Sequence, residues 1–210
     1  MKVLNLYAGL GGNRKLWTDC EVTAVEIDPV IAENYKKQFP DDTVLMADAH
    51  KYLKHNFREF DFIWSSPPCQ KHSKMMKATR HDVVDYFDLN LYQEIILLKH
   101  FFKGKWVVEN VKPYYKPLIS PSLSMGRHLF WCNFQILPIQ IKSPKNFINA
   151  DNAEGVQMMK DWLGIQYDGN IYYKNNHSPG QVLRNCVHPK LGLHVLNESK
   201  RNGLFYENQD

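Results

Sequence analysis

Short apolar runs alternate with longer amphipathic segments through the first 110 residues of the chain. Short apolar runs fit buried strands, and the segments between them are long enough to form helices. Parallel strands require such long connections, so the alternation predicts βαβ units in a doubly wound, mostly parallel α/β fold. The predicted strands are Lys2–Tyr7, Glu21–Ile27, Thr43–Met46, Phe60–Ser65 and Lys105–Glu109.

Two helices between these strands have recognisable ends. The stretch Pro29–Gln38 follows Asp28, a suitable N-cap, and begins with proline, which is favoured in a first turn. The segment Leu89–Phe102 carries apolar residues at helical spacing, and Gly104 stands where such a helix would stop. The run 66–86 lacks this periodicity and is predicted to be a long loop after the fourth strand.

Farther along, prolines divide the chain into shorter segments, which favours a few antiparallel strands. Arg127–Ile136 is the best candidate strand. Gly155–Leu163 is predicted to be a short amphipathic helix, and Leu191–Leu196 to belong to a last helix packed on the sheet. We expect one domain over residues 1–200 and a polar tail over 201–210.

Length and composition narrow the class of protein. With 210 residues and 44% hydrophobic content, the chain can bury one core but not two comfortable ones. Its formal charge of +4 favours a polyanionic partner without requiring one. The cysteines, at positions 20, 69, 132 and 186, lack metal-ligand spacing, and no apolar run is long enough for a membrane helix. We expect a cytoplasmic protein with no metal and no membrane span.

A glycine-rich turn, Tyr7-Ala8-Gly9-Leu10-Gly11-Gly12, follows the first strand and precedes a helix-competent stretch. Such a turn lets the backbone approach a nucleotide-like ligand. The dinucleotide fingerprint would need another glycine where Arg14 stands, so a pyrophosphate is a poor fit. Glu26 ends the second strand and can bind ribose hydroxyls, and Asp48, after the third, can accept a hydrogen bond from an adenine amino group. Together these residues favour an adenosine cofactor.

Cys69 follows two prolines directly after the fourth strand. The rigid backbone and the cationic Lys71, His72 and Lys74 favour a stabilised thiolate over a buried structural cysteine. Glu109 ends the fifth strand, at the same expected sheet edge. A thiolate that adds to C6 of cytosine, with an acid at N3, makes C5 nucleophilic enough to attack an electrophilic methyl group.

The ordered motifs resemble those of the DNA cytosine-5 methyltransferases over most of the chain. They are the glycine-rich turn, Glu26, Asp48, Ser66-Pro67-Pro68-Cys69-Gln70, Glu109-Asn110-Val111 and Arg184-Asn185-Cys186-Val187-His188-Pro189-Lys190-Leu191. The resemblance implies a Rossmann-like fold, S-adenosylmethionine (SAM) as cofactor and methyl transfer to cytosine in DNA. It makes Cys69 the nucleophile and Glu109 the acid, with Pro68 and Asn110 shaping the site. The cofactor-binding residues would be Tyr7, Ala8, Gly9, Gly11, Gly12, Glu26, Ile27, Asp48, Ala49, Pro67 and Asn185.

By the same resemblance, a basic loop closes over a base flipped out of the duplex. Its nucleic-acid-binding residues would be Gln70, Lys71, Ser73, Lys74, Lys77 and Arg80. In place of the usual Gln-x-Arg-x-Arg segment stands 126–131, which leaves Arg127 or His128 to contact the base or backbone. The usual glycine before Asn185 is Arg184.

The segment where relatives carry a large target-recognition region, near 135–155, is short. We therefore expect minimal sequence reading, or a separate specificity subunit, in a compact enzyme of the restriction-modification or phage type from a bacterial or phage-infected cell. Two alternatives stay open: the same chemistry on tRNA, and a non-catalytic nucleic-acid-binding module. The residues after Cys69 resemble those at the same place in the DNA enzymes, which favours DNA as the substrate. An amino-methylating enzyme is disfavoured because such enzymes place an aromatic residue where Cys69 stands.

Overall fold

The computed structural model of the chain describes residues 1–69, 89–145, 147, 151–173 and 178–201. Its strands are β1 (Lys2–Leu6), β2 (Glu21–Glu26), β3 (Thr43–Met46), β4 (Phe62–Ser65), β5 (Lys105–Val111), β6 (Leu123–Met125) and β7 (His128–Cys132). Its helices are α1 (Pro29–Gln38), α2 (Ala49–Asn56), α3 (Asn90–Phe101), α4 (Ala153–Leu163), α5 (Gln181–Arg184) and α6 (Pro189–Lys200), with a 3-10 turn at Phe57–Glu59.

All seven strands form one sheet in the order β3-β2-β1-β4-β5-β7-β6. The neighbouring pairs from β3 to β5 are parallel, whereas β7 pairs antiparallel with β5 and β6. This confirms the doubly wound, mostly parallel sheet with antiparallel strands after it. The strand order reverses between β1 and β4, and ligands of open α/β sheets bind outside the carboxyl ends of the strands at such a point.

Alternate residues of the central strands supply two hydrophobic cores, one on each face of the sheet. Leu4 and Ile63 belong to the cluster that includes residues of α2 and α3. Val3 and Phe62 belong to the other, which includes residues of α6. Because successive side chains of a strand point to opposite faces, adjacent apolar residues reach different layers. Both faces of the sheet are therefore covered by packed side chains, so a ligand can reach the sheet only where its strands end.

Local capping signals predicted α1 correctly. The Asp28 side chain accepts hydrogen bonds from the backbone N–H groups of Val30 and Ile31, and Pro29 opens the helix. The long third helix was also predicted well and spans Asn90–Phe101. α4 begins two residues earlier than predicted, at Ala153, because the Asn152 side chain caps it by accepting from Gly155 N.

The helix-competent stretch after the glycine-rich turn does not form a helix. Residues 12–16 make consecutive turns instead. Tertiary contacts replace helical hydrogen bonds here: Arg14 forms a bidentate pair with Asp42 through nitrogen–oxygen distances of 2.8 and 2.9 Å. Trp17 is buried in the core, and a Cβ added to Gly192 of α6 would lie 2.1 Å from the Asn13 carbonyl oxygen. Close packing against α6 thus fixes this stretch.

Other predicted boundaries shift for identifiable reasons. β5 continues to Val111 because its last residues pair with β7, Val111 opposite His128. The strand predicted over Arg127–Ile136 is confined to His128–Cys132. The Asn133 side chain replaces ladder pairing, accepting from Trp106 N at 3.0 Å and donating to the Gly104 carbonyl oxygen at 2.8 Å.

One observed helix was not predicted, and another is longer than predicted. α2 was not predicted, and Asp48 begins it by accepting a hydrogen bond from Lys51 N. The last helix extends beyond Leu191–Leu196 to Pro189–Lys200, since the His188 ring caps it by accepting from Lys190 N. No helix in the described parts of the chain is long and apolar enough to cross a membrane.

Candidate active site

A cavity of about 550 Å³ opens at the carboxyl ends of β1, β2, β4 and β5. This volume lies within the range of small-molecule and cofactor sites. Among the residues predicted for the site, those that line the cavity are Tyr7, Ala8, Gly9, Gly12, Glu26, Ile27, Pro67, Pro68, Cys69, Glu109, Asn110, Arg127, His128 and Asn185. The structure thus brings together segments that lie more than a hundred residues apart in the sequence.

The turn after β1 wraps tightly around one end of this cavity. Tyr7 and Gly9 both have positive φ angles, of 55° and 56°. Such angles cost a non-glycine residue like Tyr7 conformational energy, so surrounding contacts must hold it in place. Gly12 lets the residues after α5 approach, because a Cβ at this position would lie 2.5 Å from the Val187 carbonyl oxygen. The turn therefore presents backbone to the cavity.

Glu26 is fixed at the end of β2 with 7% of its surface exposed. Its Oε2 accepts from Gly9 N at 2.9 Å, and its Oε1 accepts from Ile27 N and Asp28 N, both at 2.9 Å. Burial raises the pKa of this carboxyl, and the three backbone donors counteract part of that rise. Carboxylate oxygens have several lone pairs, so both can accept further bonds from hydroxyls in the cavity.

Three predicted cofactor residues do not line the cavity. Gly11 (φ 74°) packs instead against α1, where a Cβ would lie 2.3 Å from the Phe39 ring. Asp48 uses Oδ1 to cap α2, accepting from Lys51 N at 3.0 Å. Ala49 is buried in the core. The adenine contact predicted for Asp48 stays a prediction.

Cys69 lies in the cavity, four residues after β4 ends at Ser65. Burial raises the pKa of its thiol to about 11, and the negative charge of Glu109 adds to the rise, while Arg127 opposes it. Among the described residues, the surroundings of Cys69 therefore favour the protonated thiol and not the stabilised thiolate that the sequence predicted. Lys71, His72 and Lys74, on which that expectation depended, lie outside the described residues.

Glu109 is held by donors on both oxygens and is 5% exposed. Ser66 Oγ donates to its Oε2 at 2.9 Å, and Trp64 Nε1 donates to Ser66 Oγ at 2.8 Å. His128 Nδ1 forms a short hydrogen bond with Oε1. Because each partner can donate, both carboxylate oxygens of Glu109 are held in place.

The next residue of β5 fixes the loop that carries Cys69. Asn110 is 2% exposed, and its Nδ2 donates to the Pro67 carbonyl oxygen at 2.9 Å. Its Oδ1 accepts from Val111 N at 2.9 Å. Asn110 thereby ties the end of β5 to the loop after β4, and its site-shaping role stays a prediction.

Arg127 bridges the antiparallel part of the sheet and the segment around α5. Its Nε donates to His128 Nε2 at 3.2 Å, and its Nη2 donates to the Arg184 carbonyl oxygen. The guanidinium carbon lies 5.4 Å from the centre of the Phe147 ring, within cation–π range. Burial lowers the pKa of Arg127, and the nearby Glu109 offsets part of that effect.

Sequence reasoning assigned no site role to several residues that line the cavity, although some of them stand inside the quoted motifs: Leu10, Asn13, Ser66, Val111, Lys112, Tyr173, Gln181, Val182, Arg184, Cys186 and Val187. Ser66 belongs to the motif that carries Cys69, so its place in that motif was a usable signal. Tyr173 had none, because only tertiary packing brings it to the cavity. Gln181 Nε2 donates to Asn185 Oδ1 at 3.1 Å and orients that predicted cofactor contact.

Some predictions lie beyond the part of the chain that the structure describes. The nucleic-acid-binding residues Gln70, Lys71, Ser73, Lys74, Lys77 and Arg80 all do so. Within the described residues, no cluster of His, Cys, Asp and Glu is arranged to hold a metal ion.

The sheet order, with a glycine-rich turn after β1 and an acid at the end of β2, is the Rossmann-like fold of the SAM-dependent methyltransferases. The model of the C-5 cytosine-specific DNA methylases matches residues 1–117, more than half of the 210-residue chain. The chain belongs to that family, which acts on nucleic acid with SAM as cofactor.

Solved structures give partial alignments. A DNMT2 mutant from Spodoptera frugiperda is 29% identical and covers 53% of this chain and 35% of that chain, with a TM-score of 0.37. A SAM-dependent methyltransferase from Agrobacterium tumefaciens is 18% identical and covers 55% and 40%, with a TM-score of 0.40. This chain therefore spans about a third of the length of the insect protein. No curated protein matches the sequence.

The described residues fit SAM. Glu26 combines deep burial with lone pairs available to ribose hydroxyls, beside backbone exposed at Gly9. Asn185 lines the same cavity. The cavity volume accommodates an adenosine-sized molecule and leaves Cys69 and Glu109 in its wall.

Proposed function

We propose that this chain transfers a methyl group from SAM to C5 of a flipped-out cytosine in DNA, through a covalent bond between Cys69 and C6. The observation that carries this proposal is that Cys69 and Glu109 line the same cavity as Glu26. A nucleophile and an acid beside a cofactor site are the groups that cytosine C5 chemistry requires.

Cys69 acts as the nucleophile. Its sulfur, after loss of the thiol proton, adds to C6, and the C5–C6 electrons become available at C5. Since burial raises the thiol pKa to about 11, deprotonation must accompany substrate binding or attack. SAM, held beside Glu26 and Gly9, would supply an electrophilic methyl group, and its transfer to C5 would break the bond from that methyl group to the sulfonium sulfur and release S-adenosylhomocysteine.

Glu109 acts at N3 of the ring. In its protonated form Glu109 gives N3 a proton or a strong hydrogen bond, which offsets the negative charge that the addition of sulfur places on the base, and it takes the proton back when the adduct breaks down. Ser66 and His128 hold both carboxylate oxygens in place. Over the cycle the proton on C5 leaves to solvent, the C6–sulfur bond breaks, and the C5–C6 double bond re-forms with Cys69 regenerated.

Target recognition in this proposal is minimal. Residues 133–152 connect β7 to α4, a short stretch compared with the large recognition region of related enzymes. The basic residues predicted in the segment after Cys69 would contact phosphates, which carry no sequence information. A separate specificity subunit remains part of the proposal as the alternative source of sequence reading.

Transfer of a labelled methyl group from SAM to DNA tests the nucleophile. Wild-type protein should label cytosine-containing duplexes, and Cys69→Ala should reduce labelling to background while still binding SAM. Cys132→Ala is a matched control, because Cys132 also has a thiol whose pKa is raised by burial but lies outside the cavity. Full labelling by Cys69→Ala would exclude Cys69 as the nucleophile.

The acceptor is tested by comparison. Wild-type protein should methylate duplex DNA faster than tRNA, in line with the residues that follow Cys69; the opposite preference would assign the chemistry to tRNA. DNA carrying 5-fluorocytosine should form a covalent adduct with the chain in the presence of SAM, because fluorine at C5 prevents the final elimination. A non-catalytic binding module would form no adduct.

A further inference from the structure

A buried carboxylate lies behind the glycine-rich turn and has no part in the chemistry proposed above. Glu94, in α3, is 1% exposed as a residue and its side chain is fully buried. A buried charge is costly unless hydrogen bonds or an ion pair compensate it. The partners that Glu94 uses therefore indicate what its position contributes.

The three partners come from three different segments near the cavity. Tyr7 Oη donates to Glu94 Oε1 at 2.6 Å, and Ser65 Oγ donates to Oε2 at 2.5 Å. His50 Nδ1 lies 2.9 Å from Oε1. Tyr7 follows β1, Ser65 ends β4, and His50 lies in the first turn of α2 after β3. One carboxylate thus joins the ends of three strands.

We propose that Glu94 is a positioning residue for SAM binding, acting through Tyr7 and Ser65. Tyr7 lines the cavity and has a φ of 55°, which a tyrosine adopts only when its surroundings hold it. The bond from its hydroxyl to Glu94 supplies such a restraint. With Tyr7 held, Gly9 N can donate to Glu26, the carboxylate that faces the cofactor site.

Ser65 connects this arrangement to the catalytic acid. Ser65 bonds to Glu94, and the next residue, Ser66, bonds to Glu109 at 2.9 Å. Consecutive side chains of an extended segment point to opposite sides, so Ser65 can bond to Glu94 while Ser66 bonds to Glu109. Loss of Glu94 is therefore expected to affect cofactor affinity first, and Glu109 only indirectly.

The proposal rests on SAM as the cofactor of the proposed function, so its test measures SAM binding directly. Calorimetric titration of the full chain with SAM needs neither DNA nor Cys69 chemistry. We expect Glu94→Gln to weaken SAM binding about tenfold, since a neutral amide with one acceptor oxygen replaces a carboxylate that accepts on both oxygens. Tyr7→Phe removes a single hydroxyl and should weaken binding by a similar factor.

The double variant separates positioning from general damage. Because Tyr7→Phe removes and Glu94→Gln weakens the same bond, their effects should not add, and the combination should bind SAM no more weakly than Glu94→Gln alone. Glu198→Gln is a matched control: Glu198 is also a buried helical carboxylate, 7% exposed, whose partners Arg201 and His194 lie outside the cavity. Tyr52→Phe serves as the control for Tyr7, as a partly buried tyrosine packed against the same core.

The outcomes are distinct. Weaker SAM binding in both Glu94 and Tyr7 variants, non-additive in combination and absent from both controls, supports the proposal. If Glu94→Gln does not fold, Tyr7→Phe against Tyr52→Phe decides. Unchanged affinity in Tyr7→Phe, additive losses, or equal losses in the controls would overturn the positioning role. Failure of the wild-type chain to bind SAM would overturn the cofactor assignment and this proposal together, whereas failure of Cys69 chemistry leaves it intact.

Discussion

His128 donates to the carboxylate of Glu109 across the boundary between the antiparallel and parallel parts of the sheet. His128 pairs with Val111, two residues beyond Glu109 on β5, so both side chains lie on one face. Arg127 Nε donates to His128 Nε2, and a guanidinium has no acceptor to offer. The neutral ring must then carry its proton on Nδ1, the nitrogen that contacts Glu109 Oε1. Arg127 thereby sets the tautomer of His128.

Substitutions of His128 should follow from that tautomer. His128→Ala removes a donor to a buried carboxylate and should lower kcat about 10- to 100-fold, the effect of losing a hydrogen bond to a charged group. His128→Asn should retain more activity than His128→Gln, because the asparagine amide reaches the position of Nδ1 and the glutamine amide that of Nε2. Steady-state methyl transfer measures both. Equal activity in these two variants would contradict the tautomer assignment.

Glu109→Gln should make the Cys69 thiol more reactive and at the same time slow methyl transfer. The negative charge of Glu109 raises the pKa of Cys69, so Glu109→Gln lowers that pKa and increases the thiolate fraction at pH 8. Alkylation of Cys69 by iodoacetamide should become at least about threefold faster, which corresponds to half a pKa unit. Methyl transfer should fall in the same variant, since the group at N3 is lost.

Alkylation rates against pH provide the control. In the wild-type chain the rate should keep rising up to about pH 11, the pKa that burial imposes on Cys69. A plateau near pH 8 would show a stabilised thiolate and contradict the assignment. Arg127→Ala should shift the profile upward in pH, because Arg127 lowers the pKa of Cys69.

The parts of the site that the sequence predicted correctly are those that depend on local order along the chain. Glu26 ends an apolar strand and Cys69 comes four residues after another, and parallel strands bring such ends to one edge. The Asp28-Pro29 pair likewise predicted α1, since a cap acts within a few residues.

What the sequence did not predict depends on contacts between distant segments. Glu94 lies on a helical face among apolar residues, and its partners are up to 87 residues away. The stretch 12–16 has helix-forming residues, yet packing against α6 and the pair between Arg14 and Asp42 keep it in turns. Propensity is a weak guide where tertiary contacts of this kind compete with it.

Glu26 should make stability depend on pH. Its folded pKa is raised by burial above the ordinary 4.5, so the native state binds a proton more tightly than the unfolded state. The free energy of unfolding therefore falls as pH rises through the interval between the two values. Chemical denaturation at pH 4, 5, 6 and 7 should show this decline in wild type and a smaller one in Glu26→Gln.

The comparison isolates ionisation, because the hydrogen bonds that glutamine fails to make cost the same at every pH in this range. Glu26→Gln should also bind SAM at least tenfold more weakly, since it loses acceptors for the ribose hydroxyls. Parallel pH slopes in the two proteins would contradict a raised pKa for Glu26.

Gly12 should be the glycine of the turn where an added methyl group most directly affects cofactor binding. A Cβ there would lie 2.5 Å from the Val187 carbonyl oxygen and 2.9 Å from Cys186 Cβ, so the segment that carries Asn185 must move away. Gly12→Ala should cost about 1–3 kcal/mol of unfolding free energy, as overpacking does, and should weaken SAM binding.

Gly169→Ala is the control, because Gly169 has a φ of 67° but no neighbour within 4 Å of an added Cβ. That variant should lose about 1 kcal/mol through backbone strain alone and bind SAM normally. Normal SAM binding by Gly12→Ala would show that the Asn185 segment tolerates the displacement and does not grip the cofactor.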